Sequence, residues 1–185
     1  MDEYSVEEKR ELLRLARTTI ENYLKFKTKD YPKTDNEKFK QNRGVFVTLH
    51  NHGQLRGCIG YPLPIKPLYE AVVDNAISAS TEDYRFSPVT IDELNDIDIE
   101  ISILTVPKEI NDYKEIIVGK HGILVSKGYA RGLLLPQVPV EQGWNLEEYI
   151  SYGCMKAGLP SDEWKRGVKI EVFEGIVFSE KELLK

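Results

Sequence analysis

The stretch GVFVTLHNHGQLRGCIG, residues 44–60, decides the fold class. Val45, Val47 and Leu49 alternate, as a half-buried strand requires. Leu55, Gly57 and Ile59 alternate in the same way further on. Setting both apolar series on one face pairs Leu49 with Leu55 and Val45 with Ile59, and leaves Asn51-His52-Gly53 as the loop. A hairpin loop of that length wants a left-handed residue at its end, and Gly53 supplies it. In this register Arg56 and Cys58 share the face opposite the apolar one.

Working outward, Ser5 to Phe26 reads as an amphipathic helix opened by a Ser5–Glu8 capping box. Residues 27–43 form a lysine-rich connection, read as a solvated loop rather than a phosphate-binding patch. Pro67 opens a second helix, with Leu68, Val72, Ala76 and Ala79 on one stripe. Thr90 and Glu93 cap a short third one. Ile97, Ile99, Ile101 and Ile103 mark one face of a strand, with Asp96, Asp98, Glu100 and Ser102 on the other. Strands follow at 123–126 and 132–135, and the second, apolar on both faces, is expected at the centre of a sheet. Asn145 and Glu148 cap a further helix that stops near Gly158, and 168–178 is a β segment interrupted by Gly175, which marks either a turn or a bulge. Hairpins with helices between them indicate an α+β fold, mainly antiparallel sheet with flanking helices.

A chain of 185 residues with 41% apolar and 30% charged side chains fits one domain with a real core. A net charge of -5 argues against wholesale nucleic-acid binding. No stretch approaches the roughly 20 apolar residues of a membrane helix. The acidic start is unlike a signal peptide, and two cysteines, Cys58 and Cys154, suit a reducing cytosol, so a cytoplasmic protein is expected.

The candidate chemistry centres on Leu55-Arg56-Gly57-Cys58-Ile59-Gly60. Residues two apart on a strand lie roughly 6–7 Å apart, so a guanidinium at Arg56 would favour the Cys58 thiolate. Gly57 lets another group approach closely. The competing reading is a packed cysteine with glycines serving the turn, and physics alone favours it. The carboxylate row Asp96, Asp98 and Glu100 reads first as a solvent face that blunts sheet aggregation, and Glu100, deepest in it, is the candidate partner for Arg56 or Arg85. His50 and His52 alternate, but no second cluster has metal spacing, so no metal is expected.

The hexapeptide at 55–60 resembles the signature of the AMMECR-one family, named from the Alport syndrome, midface hypoplasia and elliptocytosis chromosomal region. Tyr84-Arg85-Phe86-Ser87-Pro88 resembles its aspartate–proline–arginine–phenylalanine segment, with Tyr84 in place of the proline. Glu100 to Leu104, Gly132 to Val138 (including Gln137), Trp144, Lys156 to Pro160 and Trp164 follow in the family's order. The resemblance spans about residues 12–178. It implies a single domain over residues 1–185 with two lobes, the larger holding both termini and the smaller formed by the middle of the chain. It also implies a cleft near the hexapeptide, and it tips the weighting of that segment toward function. It assigns no reaction and no cofactor. Some members are linked to Memo-type and radical S-adenosylmethionine proteins. The expected catalytic candidates are Cys58, Arg56 and Glu100, and the expected ligand contacts are Arg56, Gly57, Cys58, Ile59, Gly60, Arg85 and Gln137. Two functions stay open: an enzyme or enzyme subunit acting on a small anionic ligand, and a non-catalytic binding or adaptor module for a small molecule or protein. A nucleic-acid role ranks third.

Overall fold

Helix α1 (Val6–Phe26) begins where Ser5 and Glu8 bond reciprocally across the first turn, and ends at Lys27 in the left-handed region. Its stripe of Leu12, Leu13, Ala16 and Ile20 is fully buried. The structure, a computed structural model, describes residues 3–184. The chain forms two compact units: one comprises everything up to Ile103 together with the segment from Ile176 onward, and the other is Leu104–Gly175.

The first unit is built on β1 (Val45–Asn51), β2 (Gln54–Tyr61) and β3 (Ile97–Leu104). With β8 (Gly175–Ser179) they make a four-stranded sheet in the order β2-β1-β3-β8. All four β3 isoleucines, Ile97 to Ile103, are fully buried, as their alternation requires. They join Val45, Val47 and Leu49, the α1 stripe, and Leu68, Val72 and Ala76 of α2 (Leu68–Thr81) in one core. Each such side chain contributes roughly 1.5–3 kcal/mol by leaving water. The opposite face of the sheet carries Phe46, Thr48, His50, Asp98, Glu100 and Ser102.

The hairpin register differs from the one read off the alternation. His52 and Gly53, with φ 49° and 80°, form a two-residue turn between Asn51 and Gln54. Two left-handed residues give the turn whose twist matches the strands it joins. That turn alone would set Arg56 opposite Leu49, on the core face. A bulge prevents it: His50 pairs with Leu55, Leu49 pairs with Gly57, and Arg56 is the extra residue between. Val47 then faces Ile59, and Thr48 faces Cys58. An unpaired charge among buried leucines and isoleucines is far costlier than one interrupted rung of the ladder. The same slip carries Leu55 off the apolar face to pair with His50, and it is 42% exposed.

In the second unit β4 (Lys108–Ile110), β5 (Gly122–Lys127), β6 (Ala130–Leu134) and β7 (Lys169–Phe173) form a sheet in the order β4-β7-β5-β6. Ile123 and Val125 of β5 pack with Tyr149, Ile150 and Cys154 of α4 (Leu146–Lys156). A short α3 (Val138–Gln142) precedes it, and α5 (Glu180–Leu183) ends the first unit. The run at 132–135 implies a central strand, but β6 is an edge strand, and β5 lies inside. Its apolar character serves helix packing instead: a Cβ on Gly132 would lie 2.3 Å from the Ala157 backbone nitrogen. The interruption at Gly175 is neither a turn nor a bulge within one sheet, since β7 ends before it and β8 begins at it in the other sheet. Among the described residues no helix is long and apolar enough to cross a membrane.

Candidate functional site

Strand alternation and the bulge together explain most of the hexapeptide. Gly57 lies on the core face, where a Cβ would fall 2.1 Å from the Ala79 carbonyl oxygen near the end of α2. Gly60, opposite Phe46, lies under that ring, 2.4 Å from where its Cβ would be. Ile59 packs half-buried against the first unit's core. Arg56, expelled by the bulge, donates from Nε to Glu93 Oε1 at 2.9 Å and from a terminal nitrogen to Oε2 at 3.1 Å. It also donates to the Ser87 carbonyl at 2.8 Å. These bonds hold the Glu93 carboxyl below its ordinary pKa. Arg56 therefore pins the 87–93 segment and does not meet Glu100.

Arg85 is also engaged by a carboxylate other than Glu100. It donates to Asp83 Oδ1 at 2.9 Å and to Oδ2 at 2.7 Å. Asp83 is buried and in turn accepts the Cys58 backbone N–H at 2.9 Å, while Arg85 donates to the Cys58 carbonyl at 3.3 Å. The pair imitates a neighbouring strand along the free edge of β2 and satisfies both backbone groups of Cys58. Hydrogen bonds from Arg85, opposed by burial, hold Asp83 well below the usual carboxylate range. Part of the Arg85 guanidinium stays exposed beside Cys58.

What these assignments leave over is a row across three strands. Cys58 pairs with Thr48, and Thr48 pairs with Glu100, all on the face opposite the core. The Thr48 hydroxyl donates to the Cys58 sulfur at 3.2 Å. Burial raises the Glu100 pKa, with His50 opposing and Glu182 and Asp98 adding to the rise. A carboxyl so placed is biased toward its proton-donating form. Leu55 lies on the same side beside His50. Cys58 is partly exposed, whereas Cys154 is buried and its thiol is pushed up by burial.

Of the expected site residues, Cys58, Gly57, Ile59, Gly60 and Arg85 thus cluster at β2, and Glu100 joins Cys58 through Thr48. Gln137 lies in the second unit, exposed at the start of α3. His52 caps the turn and sits 4.0 Å from Asp96 on open surface. Among the described residues no group of three or more His, Cys, Asp or Glu is placed to hold a metal. Thr48, Asp83 and Glu93 were not legible as site residues. Thr48 had a signal, a polar position facing Cys58 once the bulge is allowed. Asp83 had one too, a carboxylate two residues before an arginine.

The AMMECR1 family model matches residues 13–178. The chain is similar to the protein MJ0810 of Methanocaldococcus jannaschii, 50% identical over 182 residues that cover 92% of this chain and 89% of that protein. It is similar to a protein of Aquifex aeolicus, 45% identical over 181 residues that cover 94% and 93%. Among solved structures, the uncharacterized protein PH0010 from Pyrococcus horikoshii matches with a TM-score of 0.72 and 42% identity, covering 93% of this chain and 91% of that one.

Proposed function

This chain belongs to the AMMECR1 family, and we propose that it binds a small anionic molecule on the row Cys58–Thr48–Glu100, with Cys58 as the reactive group. The observation that carries this is a difference within one hexapeptide. Arg56, Gly57, Ile59 and Gly60 each have a packing or pairing reason to be what they are, while the Cys58 thiol has only a hydroxyl donor and a partly open face. Arg85 supplies positive charge beside the thiol. Burial raises the Glu100 pKa, which weakens the repulsion an anion meets there compared with an ordinary carboxylate. In this reading Thr48 orients the sulfur, and Arg56 is a positioning residue that holds the bulge.

The test is native-state alkylation of Cys58 by iodoacetamide as a function of pH, with Cys154 as the internal reference, combined with thermal-shift screening of small anions. Cys58 is expected to label in the folded protein, and a bound anion is expected to slow that labelling. Labelling of Cys58 only under conditions that also expose Cys154 would return the segment to packing. A non-catalytic binding module is the second reading, favoured because Arg56 and Arg85 are both engaged by internal carboxylates. It is distinguished by a Cys58→Ser variant that keeps ligand affinity.

A further inference from the structure

A cavity lies in the first unit, between α1 and the 32–34 stretch of the lysine-rich connection, with a volume of about 310 Å³. It shares no residue with the Cys58–Thr48–Glu100 row. Leu15, Pro32 and Tyr69 contribute apolar surface, with Leu12 and Phe39 in the floor. Leu12 and Phe39 are fully or almost fully buried, so the floor is set by the core and does not depend on mobile side chains. The volume is at the lower end of the range for small-molecule sites, which is roughly 300–1,000 Å³.

The charges around it are unequal in their engagement. Arg14 lines the cavity but is already paired with Glu7 at 2.9 Å. Glu11, on α1, and Lys33, on the connection, also line it. Neither side chain has an ion pair or a hydrogen bond among the described residues, and they do not pair with each other. Two opposite charges that share one cavity and stay apart leave a gap that a ligand with both signs can bridge. From this we infer that the cavity is a binding site for a small zwitterion with an apolar body, the class to which hydrophobic α-amino acids belong. The ammonium group meets Glu11, the carboxylate meets Lys33, and the side chain lies on the surface of Leu15, Pro32 and Tyr69.

The test uses the full chain and phenylalanine as the probe, followed by amide chemical shifts in an NMR titration. Shifts confined to α1, residues 32–34 and the neighbourhood of Phe39 and Tyr69 are expected. Phenethylamine and 3-phenylpropionate each keep one charge and should bind more weakly than phenylalanine. Glu11→Gln and Lys33→Met, both at exposed positions that leave the core untouched, should each weaken phenylalanine by about two- to fivefold, the range of a solvent-screened charge contact. Leu15→Trp, which fills the cavity, should abolish the shifts. No saturable shift at millimolar phenylalanine overturns the site. Equal binding by either singly charged analogue, or affinity unchanged in both charge variants, overturns the zwitterion assignment.

Discussion

Glu100 shows how one side chain can report on the outer face of the sheet. Its backbone belongs to the regular alternation of β3, so its position was legible in the sequence. Its protonation behaviour was not, because that depends on burial and on His50, which β1 brings beside it. With its pKa raised above the unfolded value, the stability it contributes is complete at low pH and is lost as pH rises through the folded pKa. Glu100→Gln keeps the shape and removes the titration. The variant should equal the wild type in acid and become progressively more stable than it as pH rises, measured by denaturant midpoints across pH. A difference independent of pH would show that Glu100 is not the titrating group. Gly57 makes the complementary point: its role as a close-approach position was readable, but the approaching Ala79 carbonyl comes from a helix with no local signal in that strand.

At the scale of elements, the β1–β2 hairpin was legible and its register was not. Apolar alternation is satisfied equally by registers that differ by two residues, so it cannot choose among them. The turn chosen by His52 and Gly53, and the need to keep Arg56 out of the core, settle the matter through a bulge. The bulge is held from outside by Glu93, and the two side chains should couple. A double-mutant cycle with Arg56→Ala and Glu93→Ala should give a coupling of about 1–3 kcal/mol, as expected for a charge-assisted, bidentate contact that is largely shielded from water. Additive effects would mean that the 87–93 segment does not need this anchor.

A second inter-element tie is the buried carboxylate of Asp74 on α2, which is only 4% exposed. It accepts from Tyr31 at 2.7 Å and Tyr61 at 3.2 Å, and pairs with Lys29 at 2.5 Å and with Lys66. These link the lysine-rich connection and the end of β2 to the helix, which the composition of residues 27–43 alone, read as solvated loop, did not reveal. Burial pushes the Asp74 pKa up, but bonds from Lys29, Lys66 and Tyr31 outweigh it and hold it at about 2. A depressed pKa stabilises the fold above the ordinary carboxylate value and loses that contribution as pH falls toward about 2. Asp74→Asn should therefore cost about 2 kcal/mol near neutral pH, and the deficit should shrink in acid. A deficit that persists unchanged at the lowest accessible pH would assign the loss to packing.

At the scale of the whole molecule, an α+β fold of hairpins and helices was legible, as was the break at Gly175 between β7 and β8, but not that the two strands belong to different sheets. A glycine that breaks an apolar alternation marks an interruption, but it does not tell a turn or bulge within one sheet from a passage to another. The passage is marked by a hydrogen-bonded pair: Thr105 N–H donates to the Glu174 carbonyl at 2.9 Å, and Glu174 N–H donates to Thr105 Oγ1 at 2.9 Å. The chain thus departs from β3 and returns toward β8 at adjacent points, so Leu104–Gly175 is inserted where a hairpin turn would otherwise join two neighbouring strands. Each unit also has its own buried cluster, one around the β3 isoleucines and one around Ile123, Val125 and Tyr149. A segment with its own core, joined to its host at two adjacent points, can be removed without opening the host's sheet. Replacing residues 106–173 with an Asn-Gly turn should therefore leave a chain that unfolds in one cooperative transition, with the β3 amides still protected from hydrogen exchange. The variant should be less stable than the parent, because a smaller chain buries a smaller fraction of its surface. If it lacks a cooperative transition, the first unit's sheet depends on the inserted segment for its stability, and the two clusters act as one folding unit.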